Sequence, residues 1–302
     1  TYKTFPIDGA WAEVGMNGEQ RNKAWSHRWR LLPFLERTNE YQLADTSLRP
    51  YEATGWHGSE NLQASGGKLP VFNCPSNAGE NGGGLANFTY AINFGTSHAP
   101  PHRASQGNPG PRVSTGATKQ NGFSWYQRWF PTGYNKNVGQ LQAMDAPVKV
   151  ASVIDGMSNT AAYSEFVVQS QSVQNTTNPK KRELRQQVYT WVGGNSTEDV
   201  RNQCLGQTGL SGRYTRGNSW AWSFMGTGST YAHNMTPNEK SCHNYGGNDW
   251  FGHTSMGANS EHPGGVNVAM GDGSVRFVAD SVSQDVWWAV GTRNGGESET
   301  LE

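Results

Sequence analysis

Residues 266–278 read VNVAMGDGSVRFV, and in them two runs of alternating apolar and polar side chains meet at Asp272-Gly273. Alternation with a period of two is typical of a strand with one buried face. An Asp-Gly pair favours the positive φ angles that a tight primed turn requires. The segment therefore predicts a β-hairpin.

Helical patterns lie on either side of this hairpin in the sequence. After it, Ser281 is a candidate N-cap for a helix over residues 285–290 that ends near Gly291. Near the start, the apolar residues of 25–35 recur at helical spacing, and Pro33 either kinks this helix or begins a second one.

Short apolar segments predict further strands, which lie at residues 69–75, 88–94, 148–154, 161–168 and 188–192. Many strands with few helices predict an α+β fold built on an antiparallel β-sheet with long loop insertions. We expect one domain over residues 1–300. Residues 97–147 show no sustained period and are interpreted as a long insertion.

The ends of the sequence suggest a piece of a longer protein. The start, TYKTFP, has neither an initiator Met nor the pattern of a signal peptide. The final Leu301-Glu302 looks like a vector-derived scar. No apolar stretch reaches the roughly 18 residues of a membrane-spanning helix.

Composition excludes partners that are chosen by bulk charge. The 302 residues include 24 basic and 24 acidic side chains, so the formal net charge is zero. General nucleic-acid binders are usually basic, and we expect no nucleic-acid partner. Only 16% of residues are charged while 11% are aromatic, and there are 38 glycines, which favours a loop-rich, mainly β protein with an aromatic core.

The motifs of several enzyme classes are missing. The sequence has no phosphate-binding loop, no dinucleotide-binding glycine pattern, no zinc-protease helix motif and no hydrolase nucleophile elbow. With 24 acidic residues, the choice of a glycosidase carboxylate pair would be arbitrary. We therefore expect a non-enzymatic protein without catalytic residues.

Two aspartates are candidate metal ligands. Asp155 and Asp272 each precede a glycine, where the carboxylate is expected to accept hydrogen bonds from its own turn. Alternatively, they are oxygen ligands for calcium, the one cofactor that we consider, although no EF-hand loop is present. His243, His253 and His262 lie close together in sequence, but loop histidines of this kind are more often exposed than metal-bound.

Four tryptophans stand in surroundings rich in Gly, Asn and Ser, and such rings can form a flat platform for sugars. They are the candidate ligand-binding residues, with an extracellular polysaccharide as the partner: Trp125, Trp129, Trp222 and Trp250.

The cysteines leave their pairing open. Cys74, Cys204 and Cys242 are too few for a disulfide scaffold, and no C-x-x-C pair is present. An odd count leaves one thiol unpaired unless its partner lies outside this sequence.

Seven short blocks in order resemble one family. They are TYKTFP (1–6), LLPFLE (31–36), FNCPS (72–76), IDGMSNT (154–160), PNEKSC (237–242), His262 followed after nine residues by DGSVRF (272–277), and GTRNGGE (291–297). Together they resemble the uncharacterised planctomycete family of prepilin-like proteins with a C-terminal His-(nine residues)-Asp-Gly motif. The match departs at Asn77, where the family often has Asp, and residues 97–147 match nothing in it.

The resemblance implies a pilin- or pseudopilin-like head whose N-terminal helix, preceding Thr1, has been removed. It implies an extracytoplasmic location at the cell envelope, other pilin-like subunits as partners, and membrane contact only through that helix. An uncovered sheet face would follow. It also implies that Cys204 pairs with Cys242, which fits an oxidising compartment, and that the partner of Cys74 lies in the helix. Among the motif residues His262, Asp272 and Gly273, we expect His262 to be structural, orienting the entry to the hairpin.

These expectations favour a structural subunit of a surface filament or a secretion apparatus. The alternative is an extracellular glycan- or solute-binding protein that is anchored by a pilin-type helix. A hydrolase ranks third.

Overall fold

The computed structural model describes residues 4–6, 25–51, 59–77, 86–96, 121–124, 148–170, 183–190, 196–211, 216–223, 228–243 and 254–301. Within these ranges the helices are α1 (His27–Leu31), α2 (Thr38–Leu43), α3 (Leu62–Ser65), α4 (Thr197–Leu205) and α5 (Gln284–Gly291). The strands are β1 (Tyr90–Asn93), β2 (Ala161–Glu165), β3 (Val188–Thr190), β4 (Thr230–Tyr231), β5 (Ser241–His243), β6 (Thr254–Ser255), β7 (Gly265–Met270) and β8 (Val275–Ala279).

The strands form two sheets, which confirms the α+β class. The larger sheet has the order β4-β1-β2-β7-β8, and the smaller has the order β3-β5-β6. Most neighbours are antiparallel, as expected, but β1 pairs with β4 and β3 pairs with β5 in parallel. Both sheets are therefore mixed.

The hairpin is confirmed, but its turn differs from the expectation. Strands β7 and β8 pair antiparallel from Gly265↔Ala279 to Ala269↔Val275. Gly273 has a φ of 88°, whereas Asp272 is not among the described residues with positive φ. The Asp272 carboxylate accepts hydrogen bonds from the amide and the hydroxyl of Ser274, which holds the turn in this unprimed form.

The two faces of the hairpin have different surroundings. The inner face, Val266, Val268, Met270 and Val278, packs with Trp287 and Val290 of α5 in the main hydrophobic core. The outer face consists of Asn267, Ala269, Val275, Phe277 and Ala279, which alternate with the inner residues. On this outer face Val275 is 66% exposed and Phe277 is 55% exposed.

Helix α5 is held to the core by buried polar contacts as well as by apolar packing. Its N-cap is Ser283 rather than Ser281, and the Ser283 hydroxyl accepts from the Val286 amide at 3.3 Å. The Trp287 indole donates to the Met235 carbonyl, and its ring stacks on His233 at 4.0 Å. Burial lowers the pKa of His233 to about 3, so this imidazole is neutral at ordinary pH.

Two predicted strands are wrong, and both segments contain 3-10 turns. Residues 69–75 form a 3-10 helix at Pro70–Phe72, because Pro70 fixes a helical φ and has no amide to donate to a sheet. Residues 148–154 form one at Val150–Ser152, preceded by an isolated bridge between Lys149 and Thr4. Near the start, α1 ends at Leu31, and a 3-10 helix over Leu32–Leu35 has Pro33 in its first turn.

Most of the predicted insertion 97–147 lies outside the described residues, which include only 121–124 of it. In the described part of the chain, no helix combines the length and the apolar character needed to cross a bilayer.

A disulfide joins the smaller sheet to α4. Cys204 of α4 is bonded to Cys242 of β5, and the two Cα atoms are 5.9 Å apart. This pair packs with Tyr189, Val200 and Met235 in a separate buried cluster. The pairing that the resemblance implied is therefore confirmed.

We predict that removing this disulfide destabilises the fold. The bond closes a loop with a sequence separation of 38. In the chain-entropy treatment such a loop contributes about 4 kcal/mol. Urea unfolding of the C204A/C242A variant should show this loss in the free energy of unfolding, and the wild type in a reductant should match it. A Cys74→Ala variant should keep its sensitivity to reductant, and a loss below about 1 kcal/mol in the double variant would contradict the prediction.

Candidate functional site

A thiol, a carboxylate and an imidazole from three distant parts of the chain meet beside the larger sheet. The Cys74 Sγ lies 3.6 Å from His262 Nε2, and the same Nε2 lies 3.3 Å from Glu165 Oε1. All three atoms lie within 4.8 Å of one another. We call these three residues the Cys-Glu-His cluster.

Each member is positioned by its own segment of the fold. Cys74 follows the 3-10 turn at Pro70–Phe72, and its amide donates to the Thr89 hydroxyl directly before β1 at 2.6 Å. Glu165 is the last residue of β2 and is paired with Tyr90. His262 lies in the turn before β7, where its amide donates to the Ser260 hydroxyl at 3.1 Å.

The carboxylate of Glu165 is buried and only partly satisfied. The residue is 4% exposed. Oε1 accepts from the Asn267 amide group at 2.7 Å, while Oε2 is buried without a hydrogen-bond partner among the described residues. Burying a carboxylate without full pairing is costly, so this side chain is a natural place for a further ligand.

Tyr90 borders the cluster and responds to its charges. Burial raises the pKa of Tyr90 to about 12, with the negative charges of Cys74 and Glu165 and a hydrogen bond to Cys74 acting in the same direction. The phenol of Tyr90 therefore remains protonated at ordinary pH.

The geometry limits what the cluster can do chemically. In a nucleophile–His–acid triad, the acid must contact the ring nitrogen that does not face the nucleophile. Here the thiol and the carboxylate both face Nε2 of His262. The arrangement is thus not a proton relay. Instead, three donor atoms of types that bind borderline-soft metal ions converge on one point.

The site was only partly predicted from the sequence. His262 lies in the turn that leads into β7, and it also contacts Cys74 and Glu165. Its expected role in orienting the hairpin entry stays a prediction. Those two contacts were missed. One signal for Glu165 was present, since it is the one charged residue within the run AAYSEFVV at 161–168.

The carboxylates of the two aspartates that were predicted as calcium ligands accept hydrogen bonds from backbone amides. The Asp155 carboxylate accepts from the amides of Gly295 and Gly296 at 2.8 and 3.0 Å, which fixes the segment after α5. The hydroxyl and amide of Ser274 lower the pKa of Asp272. Asp272 contacts its own turn, as expected, whereas the hydrogen bonds described for the Asp155 carboxylate come from the segment after α5 and not from its own turn. Calcium binding by either residue stays a prediction.

One of the four tryptophans that were predicted to form a sugar-binding platform is buried. Trp222 is 2% exposed, and its indole donates to the Tyr51 carbonyl at 2.8 Å, so it belongs to the interior and offers no face to a sugar. The sequence context was misleading because a tryptophan among small polar residues can pack against backbone. Trp125, Trp129 and Trp250 lie outside the described residues.

Comparison with known proteins identifies a family. The family model SBP_bac_10, described as "Protein of unknown function (DUF1559)", matches residues 1–285, and the chain belongs to this uncharacterised family. No curated protein and no solved structure matches the chain.

We predict that the titration of Tyr90 reports on the cluster. A phenol with a raised pKa is protonated in the folded state up to about pH 12, so the stability it contributes is complete below pH 10 and is lost as the pH rises towards 12. The difference in phenolate absorbance between the wild type and Y90F should therefore show a phenol that ionises only near pH 12. The same difference, measured between the C74A/E165Q variant and its Y90F derivative, should show that Tyr90 ionises at lower pH. An unchanged midpoint would mean that Cys74 and Glu165 do not act on Tyr90.

Proposed function

We propose that this chain is the extracytoplasmic head of a pilin- or pseudopilin-like subunit, and that it acts as a structural component and not as an enzyme. The observation that carries the proposal is the outer face of the β7–β8 hairpin. Two large apolar side chains of this face are more than half exposed.

This face has the character of a docking surface. Val275 and Phe277 lie on β8, which is the edge strand of the larger sheet. Exposed apolar side chains on an edge strand invite association, and proteins usually avoid them. Burying each of the two against a partner would contribute about 1.5–3 kcal/mol.

The occupant we propose is a helix of the same polypeptide that precedes Thr1. Phe5 packs on Phe123 with ring centroids 4.2 Å apart, in a cluster that also holds Tyr163. Tyr163 is the cross-strand partner of Ala269, and Ala269 is the partner of Val275. Phe5 therefore lies on the same side of the sheet as the outer face. The resemblance to prepilin-like proteins supports the same arrangement.

The disulfide and the family name support an extracytoplasmic location. A disulfide between Cys204 and Cys242 is favoured in oxidising compartments. The partners in this proposal are other pilin-like subunits, which associate through the preceding helix, and membrane contact occurs through that helix alone.

A solute- or glycan-binding head is the second candidate, and the name SBP_bac_10 hints at a binding protein. The burial of Trp222 removes one residue from the proposed sugar platform. Both candidates include a pilin-type helix, so they differ in whether the head binds a solute or glycan.

We predict that, in the full-length protein as encoded, the outer face contacts the segment that precedes Thr1. A photo-crosslinking phenylalanine analogue in place of Val275 should form an intrachain crosslink to that segment, identified by mass spectrometry of the isolated protein. Val275 is suitable because its side chain is exposed, and a change there should cost less than about 0.5 kcal/mol.

The matched control places the same analogue at Phe34, which is 74% exposed. Its neighbours Leu32 and Leu35 pack with the core on the other side of the hairpin. The control should give no crosslink to the preceding segment. Crosslinks from position 275 exclusively to a soluble partner, or to nothing, would overturn the proposal.

A further inference from the structure

We propose that Cys74, Glu165 and His262 form a binding site for a borderline-soft divalent cation of the zinc type. This inference uses only atoms of the head and does not need the pilin-like role. It requires the free Cys74 thiol of the structure, and so it replaces the expectation that Cys74 is bonded to the preceding helix.

The spacing of the donor atoms carries the proposal. Ligands at the usual zinc distances, separated by the tetrahedral angle, stand about 3.6 Å apart for a sulfur–nitrogen pair and about 3.4 Å apart for a nitrogen–oxygen pair. In the structure these separations are 3.6 Å for Cys74 Sγ to His262 Nε2 and 3.3 Å for His262 Nε2 to Glu165 Oε1. Two of the three separations thus match those around a common ion, and the third pair, Cys74 Sγ and a Glu165 carboxylate oxygen, lies within 4.8 Å.

The electrostatics of the site provide a second, independent reason. Glu165 is 4% exposed, and its Oε2 has no hydrogen-bond partner among the described residues. Its described ion-pair partner is His262, which can supply charge only when protonated. A divalent cation would neutralise the buried carboxylate and stabilise the thiolate of Cys74 beside it.

The donor set selects the class of metal. A thiolate together with an imidazole favours zinc and related ions over calcium or magnesium, which prefer oxygen ligands. Asn267 completes the arrangement, since its amide donates to the Glu165 oxygen that faces His262 and fixes the carboxylate orientation.

The site is also accessible. The side chain of His262 is 30% exposed, whereas Cys74 and Glu165 are buried, so an ion can enter on the histidine side. Three protein ligands leave a fourth tetrahedral position for water or for a group from another segment.

The test is a zinc titration of the untagged protein, purified free of metal and with Cys74 reduced, in competition with a chromophoric chelator. We expect one zinc per chain. Cobalt should replace zinc and give thiolate-to-metal charge-transfer absorption, which Cys74→Ser should abolish. The variants C74S and H262Q should each weaken zinc binding by at least about 100-fold, and N267A by about 10- to 100-fold.

The matched control is D272N, which removes an exposed carboxylate that serves its own turn. It should bind zinc as the wild type does. Circular dichroism of each variant shows whether the fold is retained, and if C74S or H262Q unfolds, N267A and the cobalt spectrum of the wild type decide the question.

Three results would overturn the proposal. The first is the absence of stoichiometric zinc binding. The second is an affinity that does not change in the folded C74S or H262Q variant. The third is a Cys74 that is disulfide-bonded in the full-length protein, because an oxidised sulfur cannot supply the thiolate. If the full-length protein had no helix before Thr1, the pilin-like role would be contradicted, but the result of the zinc titration would not change.

Discussion

The position of the candidate site depends on strand β2, which is paired on both edges and packed on both faces. It pairs with β1 on one side and with β7 on the other. Ala161 packs into the main core, and Ala162 packs into the cluster on the other side. A register shift of one residue would exchange these faces, so the register of β2 is strongly specified. Glu165 is therefore held opposite Tyr90 in the interior.

The buried carboxylate organises the polar groups around it. Asn267 comes from β7, His262 from the turn before β7, and Cys74 from the segment that packs beside β1. Interiors keep buried charges only when other groups compensate for them. The compensation of the Glu165 charge is incomplete, since Oε2 has no hydrogen-bond partner among the described residues.

The outer face of the β7–β8 hairpin has a different kind of unfavourable exposure, because its large apolar side chains Val275 and Phe277 face solvent. The two proposals address these two features, which lie on neighbouring strands of one sheet.

The sequence predicted features that depend on local patterns. The hairpin and α5 could be found because strand alternation, the Asp-Gly pair and helix boundary signals act within a few residues, although the cap is Ser283 and not the predicted Ser281. The turn type could not, because it depends on how the Asp272 side chain binds Ser274. The strand predicted at residues 69–75 was wrong because the apolar run was given more weight than Pro70, which begins a 3-10 helix there. The Cys-Glu-His cluster could not be predicted as a unit, because Cys74 and His262 are separated by 188 residues and only the fold brings them together.

The claim that most needs a direct test is that the Cys-Glu-His cluster binds a metal ion. The measurement is anomalous diffraction at the zinc absorption edge, from crystals of the zinc-treated, untagged protein. We expect one strong anomalous peak, about 2.0–2.3 Å from Cys74 Sγ, His262 Nε2 and a Glu165 oxygen. A fully reduced Cys74 with no peak at the cluster, or with zinc bound only elsewhere, would contradict it.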